Sequence, residues 1–176
     1  MTSQKIVRPD GTQVWVQEND KLHREDGPAI IYPDSTQEWW QHGERHREDG
    51  PADMHADGTQ IWYLHGKWHR EDGPAIIYAD GGRVWYRHGE CHREDGPACI
   101  LPDGTQEWYR HNKLHREDGP AIIRGDGRQE WYRHGKQHRE DGPAIIYSDG
   151  TQEWWLNGTR YDEFVFRMMV ASKKNS

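Results

Sequence analysis

The segment His-Arg-Glu-Asp-Gly-Pro-Ala begins at His23, His46, His69, His92, His115 and His138, and each copy follows the last by 23 residues. A fixed period of this length confines the chain to a repeat architecture, in which each unit packs on its neighbours and no central core is assembled. Composition agrees: hydrophobic residues make up 32% of the chain and charged residues 30%, too little apolar material for one large core. The apolar material is also unusual in kind. Ten Trp and eight Tyr against two Phe supply rings that can be half buried in a thin structure while keeping a polar tip in water.

Two turns divide each unit. His42-Gly43, His65-Gly66, His88-Gly89, His134-Gly135 and Asn157-Gly158 share one turn position, and Asn-Gly is the strongest short hairpin signal, because a type I′ turn needs positive φ at both central residues. A two-residue loop at His111-Asn112 pairs Arg110 with Lys113, Tyr109 with Leu114, Trp108 with His115 and Glu107 with Arg116. Glu38 and Arg47, and Glu130 and Arg139, then form the same cross-strand charge pair. The other turn, usually x-Asp-Gly, is expected to be a three-residue loop with Gly left-handed, which pairs Ala144 with Trp154 and Ile146 with Gln152. Ala, the second aliphatic residue and Trp then share a fixed face. The first aliphatic position, which admits Asp53 and Cys99, lies on a tolerant one. Between hairpins, Glu-Asp-Gly-Pro reads as a tight reversal, with Asp capping the turn, Gly supplying unusual φ, and Arg and Glu bridging neighbouring units.

The ends depart from the period. Asp10 to Trp15 matches Asp103 to Trp108, so residues 1–22 are expected to hold a partial repeat. Residues 23–158 form the hairpin array. In residues 159–176, Asp162 to Ala171 carries Phe164, Val165, Met168 and Met169 at helical spacing behind an N-cap candidate. The expected fold is all-β: an elongated array of antiparallel β-hairpin repeats with a short C-terminal capping helix.

Units such as Glu-Trp-Tyr-Arg-His-Gly-Lys, followed by His-Arg-Glu-Asp-Gly-Pro-Ala-Ile-Ile-Tyr-Ser-Asp-Gly, resemble MORN repeats over roughly Asp10 to Gly158. The departure is Arg-Glu-Asp-Gly-Pro, which replaces that family's shorter Gly-rich reversal. The sequence most resembles the divergent His-Arg-Glu-Asp-Gly-Pro-Ala repeat proteins encoded by bacteriophages, bacteria and large DNA viruses. The resemblance implies a twisted sheet of successive hairpins that often pairs with a second copy, and a scaffold or interaction role with no single function.

Charge and motif content narrow the function classes. A net charge of −7, with each repeat Arg beside a Glu and an Asp, argues against direct nucleic-acid binding. Cys91 and Cys99 repeat in no other unit, which suggests free thiols in a reducing, cytoplasmic setting. No apolar run approaches a membrane span and no signal-peptide pattern opens the chain. Ten of twelve His fall in His-x-x-x-His pairs such as His42 and His46. That spacing straddles a turn, so a metal site is not expected; His packing edge-on against Trp and bonding to a carboxylate of the next unit is. Six equivalent Arg-Glu-Asp clusters do not make one desolvated place with distinct roles, so neither catalytic residues nor cofactors are expected.

Two features point to binding. A second aromatic column, Trp40, Tyr63, Tyr86, Tyr109, Tyr132 and Trp155, is expected to form a stacked ladder on the tolerant face. In the second and third units that face turns apolar: Ile61 and Val84 replace the Glu of the charge pair, Trp68 lies opposite Tyr63, and Cys91 opposite Tyr86. Asp53 and His55, which stand where other units usually have Ile and Tyr, lie beside it. Such a patch with a polar rim marks a contact site. The expected function is non-enzymatic binding of a host or phage protein, with inhibition of a host defence protein as a refinement and a homodimer as one use of the patch. The alternative is capture of a small ligand, a nucleotide or lipid headgroup, between hairpins.

Overall fold

The computed structural model describes residues 3–174. They divide into two compact units, Met1–Glu90 and Cys91–Ser176, built from the same antiparallel hairpin repeat and ending in one helix. Within the array each repeat contributes two short strands to its unit's main sheet and two to a separate small hairpin, except at the C-terminal end, where Gln152–Leu156 runs on unbroken and pairs with Thr159–Tyr161.

The x-Asp-Gly turns are three-residue loops, as expected. Tyr147 N–H bonds to Thr151 C=O, Gly150 has φ of 85°, and Ile146 pairs with Gln152. The Asp side chain braces the loop: Asp149 Oδ1 accepts the Thr151 N–H at 2.8 Å, an Asx turn that lets the carboxylate replace a ladder partner. The His-Gly turns are type I′. His134 and Gly135 have φ of 50° and 80°, and Tyr132 pairs with Gln137 and Arg133 with Lys136.

The expected Glu–Arg pairs do not form. Strand order breaks at Trp39, Trp62, Trp85, Trp108 and Trp131, so Glu107 stays in the main sheet between Cys99 and Ile122 while Tyr109 starts the small hairpin. Arg116 instead clamps its own loop. It donates to Asp118 at 3.3 Å and to the Pro120 carbonyl at 3.2 Å, and its guanidinium lies 4.0 Å from the Trp108 ring centroid. Arg24, Arg47 and Arg139 make the same three contacts. The loop Gly does not serve a positive φ: a Cβ on Gly142 would sit 3.0 Å from Arg139 Cζ, close enough that the guanidinium has to give way. Thus Arg serves its own repeat where bridging was expected.

Successive repeats are stitched by backbone bonds. In the first unit Gly66 N–H reaches Arg45 C=O at 2.9 Å and Arg47 N–H reaches Tyr63 C=O at 3.2 Å. Gly135 with Leu114 and Arg116 with Tyr132 repeat the pattern in the second. A third link runs through histidine. His115 Nδ1 accepts the His134 N–H at 3.1 Å, and the two rings lie 4.5 Å apart. The expected edge-on packing against Trp and bonding to the next unit's carboxylate is therefore replaced by His-on-His contact, because the following turn arrives directly over the imidazole.

The repeat alanines Ala29, Ala52, Ala75, Ala98, Ala121 and Ala144 are fully buried, and most of the repeat histidines are buried. The face read as tolerant is also a core face. Ile30, Ile76, Ile122 and Ile145, all at the first aliphatic position, are buried, whereas the second position is only half-buried. The small hairpin folds its side chains back over this row, which an uninterrupted two-strand unit would leave open.

Both ends add to the array. Gln4–Val7 (β1) pairs antiparallel with Gln13–Val16 (β2) and Val16 bridges Leu22, so a hairpin precedes the first full repeat. The helix Glu163–Lys174 (α1) starts on Asp162, whose Oδ1 accepts the Phe164 N–H at 2.9 Å. It packs on the strand Gln152–Leu156, burying Phe166 and leaving Phe164, Val165 and Met168 exposed. The expected apolar stripe is thereby displaced by roughly half a turn.

The two glycine roles separate by substitution. Gly135→Ala has room, with Lys113 Cβ at 3.7 Å, so it costs about 1 kcal/mol from left-handed strain alone. Gly142→Ala costs more, because it drives Arg139 off its loop, ring and carboxylate. Urea denaturation of the two variants ranks them.

Candidate functional site

The apolar stretch of the first unit is built on one row of paired strands. Glu38 pairs with Asp53, Asp53 with Ile61, Ile61 with Ile76, and Ile76 with Val84. Rings from the small hairpins cover this row. Trp68 pairs with Tyr63 in the hairpin Tyr63–Leu64/Lys67–Trp68, its centroid 6.3 Å from Tyr63 and 4.8 Å from Tyr86. Ile61, Tyr63, Val84 and Tyr86 are half-buried and Trp68 is 37% exposed. Five of the expected residues are therefore assembled into one seam, with Trp68 as its outermost ring.

Asp53 closes the seam at one end. It is buried, opposite Glu38, and both carboxylates are held by Arg45: Nε to Asp53 Oδ1 and an Nη to Glu38 Oε1, each at 3.0 Å. Arg45 lies between the Trp40 and Tyr63 rings, 4.7 and 5.6 Å from their centroids. Burial pushes the Asp53 carboxyl up to about 6, Glu38 adds to the rise, and Arg45 opposes it. His55 lies in the adjoining exposed turn and its charge favours ionised Asp53. Asp53 is thus an interior ionic group where a polar rim residue was expected.

Cys91 belongs to the second unit, where it is buried. Its N–H donates to Asn112 Oδ1 at 2.8 Å. Burial pushes its thiol up to about 12, with Cys99 and Glu107 adding to the rise, and pushes Cys99 up to about 11. Both are protonated, poorly nucleophilic thiols at neutral pH.

The second aromatic column is held differently from the stacking expected. Trp40 Nε1 donates to Glu38 at 2.8 Å, Tyr109 OH to Glu107 at 3.1 Å, Tyr132 OH to Glu130 at 3.2 Å and Trp155 Nε1 to Glu153 at 2.9 Å. A carboxylate two residues earlier therefore satisfies each ring's polar tip. Glu130, itself buried, also takes Arg124 and Arg128. Where Ile61 and Val84 remove the carboxylate, Trp68 enters between Tyr63 and Tyr86.

Sequence reasoning missed Arg45 and Ile76. The signal was a coupled spacing of eight: Arg45 and Asp53 touch, and Trp68 with Ile76 and Cys91 with Cys99 occupy the equivalent positions. A further surface feature repeats along each unit. Consecutive Arg-Glu-Asp loops enclose open grooves, one of about 840 Å³ lined by Glu48, Asp49, Trp62, His69, Arg70 and others, another of about 700 Å³ around Trp108 and His115.

Among the described residues, no three or more His, Cys, Asp or Glu are arranged to hold a metal ion, and no helix is long and apolar enough to cross a membrane. No protein-family model matches the chain, and no curated protein is significantly similar to it. The functional reading therefore rests on the geometry.

Removing Arg45 leaves two carboxylates facing each other in a partly closed site. Arg45→Ala is expected to cost about 2 kcal/mol at pH 7.5. Asp53 has a raised folded-state pKa, so its protonated form is favoured in the fold and the penalty shrinks as pH falls through about 6. Urea titrations at pH 7.5 and 5 compare the two.

Proposed function

We propose that the chain is a non-enzymatic, MORN-like protein-binding module whose contact face is the seam Ile61, Tyr63, Trp68, Val84 and Tyr86. The observation that carries this reading is Trp68, a large ring left 37% exposed between two tyrosines. In the equivalent seams among the described residues the rings of Trp40, Tyr109, Tyr132 and Trp155 are tied to carboxylates, whereas this seam has the apolar, aromatic make-up of an interface anchor. Asp53 and Arg45 support the seam from beneath. The acidic loops around it favour a partner whose surface is apolar at the centre and basic at the rim. Likeness to phage-encoded repeat proteins extends the proposal to a host defence protein as that partner, within the cytoplasm of the infected cell.

A second reading has its own support. The grooves between Arg-Glu-Asp loops have the volume of small-ligand sites. Their carboxylate walls suit a cationic or hydrogen-bonding ligand better than a nucleotide.

Paired baits distinguish these readings. Trp68→Glu is expected to lower recovery of a host protein by about 30-fold, the scale of a Trp anchor, while Leu101→Glu in the second unit leaves it unchanged. Light scattering on the same preparations shows whether Trp68→Glu also dissolves a homodimer. Equal recovery by both variants overturns the seam. A rise in melting temperature with a small ligand, kept in Trp68→Glu, supports the groove reading instead.

A further inference from the structure

The repeat histidines make a contact that depends on their charge. His23, His46, His69, His92, His115 and His138 each accept, at Nδ1, the backbone N–H of the residue 19 positions on: His42, His65, His88, His111, His134 and Asn157, at 3.1–3.3 Å. An Nδ1 that accepts carries no proton, so each ring is the neutral Nε2–H tautomer. That leaves Nδ1 as the one site for a second proton. Protonation there converts the acceptor into a donor aimed at another donor, and the bond to the next repeat's turn cannot survive it. We propose that these six histidines form an acid-sensitive latch, which holds each repeat's hairpin turn on the preceding repeat while neutral and releases it when protonated.

The surrounding charges decide whether the fold resists protonation. Each Nε2 faces the Glu two residues on, Glu25, Glu48, Glu71, Glu94, Glu117 or Glu140, at 3.6–3.9 Å. Those carboxylates are more than half exposed, so their attraction for an imidazolium is screened by water. Against them stand burial and the following turn's ring, which lies 4.4–4.6 Å away in five of the pairs. For His69 the pKa is lowered by burial, then by His88 and Arg87, with Glu71 opposing. For His115 it is lowered by burial, then by His134 and Arg110, with Glu117 opposing. The sign follows. For these two histidines the unfolded chain binds more protons below about 6.5, so stability falls as pH drops through that value. A histidine that stays neutral in the fold costs up to about 30-fold in the folding constant at pH 5.

One group acts the other way. Asp53 has a raised folded-state pKa of about 6, so its contribution is fully present at low pH and is lost as pH rises through that value. Asp53→Asn removes this opposing slope.

The test is read first on the wild-type chain by NMR. Imidazole nitrogen shifts at pH 7.5 are expected to show the Nε2–H tautomer at all six positions. Between pH 7.5 and 5, the protection factors of the His42, His65, His88, His111, His134 and Asn157 amides are expected to fall together. They should fall at least tenfold further than those of the Trp62 and Trp131 amides, which bond to the Ala75 and Ala144 carbonyls. In urea titrations His115→Asn, whose side-chain oxygen can accept the same N–H and cannot be protonated there, is expected to remove up to about 30-fold of the pH 5 loss. Nδ1–H tautomers at pH 7.5, or six amides that stay as protected at pH 5 as the Trp62 and Trp131 amides, overturn the latch.

Discussion

A backbone amide donated to an imidazole nitrogen, once every 23 residues, is the contact on which this array depends. A repeat protein has no central core, so its units stay in register only through what passes between neighbours. Here the hairpin turn of each unit lies on the histidine of the one before, and its two positive-φ residues leave an N–H pointing outward from the loop. An unpaired donor in that place would carry a full desolvation cost. The imidazole satisfies it, and its ring fills the space beneath the turn. Lysine or arginine at this position could supply no acceptor, and serine or asparagine would leave the ring's volume empty. Histidine therefore meets a need for shape and acceptor together, which explains its recurrence better than metal binding does.

The residues that follow the histidine form a second, self-contained device. Arginine packs flat on the tryptophan of its own repeat and reaches the Asp and the Pro carbonyl of its own loop. The glycine is small because the guanidinium passes over it. The Glu is exposed and beyond hydrogen-bond distance from the histidine's Nε2. The loop is thus fastened to its own hairpin, while the histidine and two flanking backbone bonds fasten the hairpin to the next. Separating the two tasks lets a rigid unit be repeated without each copy waiting for its neighbour to order its loops.

Most of the architecture was legible because local chemistry wrote it. His-Gly and Asn-Gly between strand-like runs specify type I′ turns, and Asp-Gly after an aliphatic pair specifies the three-residue loop; both held, and so did the pairing they imply. What could not be read was the break at Trp39, Trp62, Trp108 and Trp131. Nothing in a period-two pattern signals that one extended segment serves two sheets. Extending a correct register through that break created the false Glu–Arg pairs and turned a core row into a supposed surface. Gln4–Val7 escaped because it pairs as a repeat strand without any residue of the repeat motif. The helix register was missed for another reason: Phe166 is turned inward by the packing of the helix on the strand Gln152–Leu156, a tertiary contact with no periodic signature.

The seam was legible because the repeats can be compared with one another. Positions eight residues apart hold Leu22 and Ile30, Arg45 and Asp53, Trp68 and Ile76, Cys91 and Cys99, Leu114 and Ile122, and Gln137 and Ile145. The Arg45 to Asp53 bond shows that such positions meet. A buried carboxylate appears only where its partner is a cation, as the cost of isolating a charge requires. At this pair of positions the variation is coupled, while the histidine, arginine, tryptophan and alanine columns stay nearly uniform. A scaffold of this kind can change the chemistry of one stretch without disturbing the contacts that stack it. Between Asp53 and Tyr86 it has exchanged carboxylates for Ile61 and Val84 and gained a tryptophan at the surface. Stability did not demand that exchange, since the equivalent seams close with Glu and Tyr.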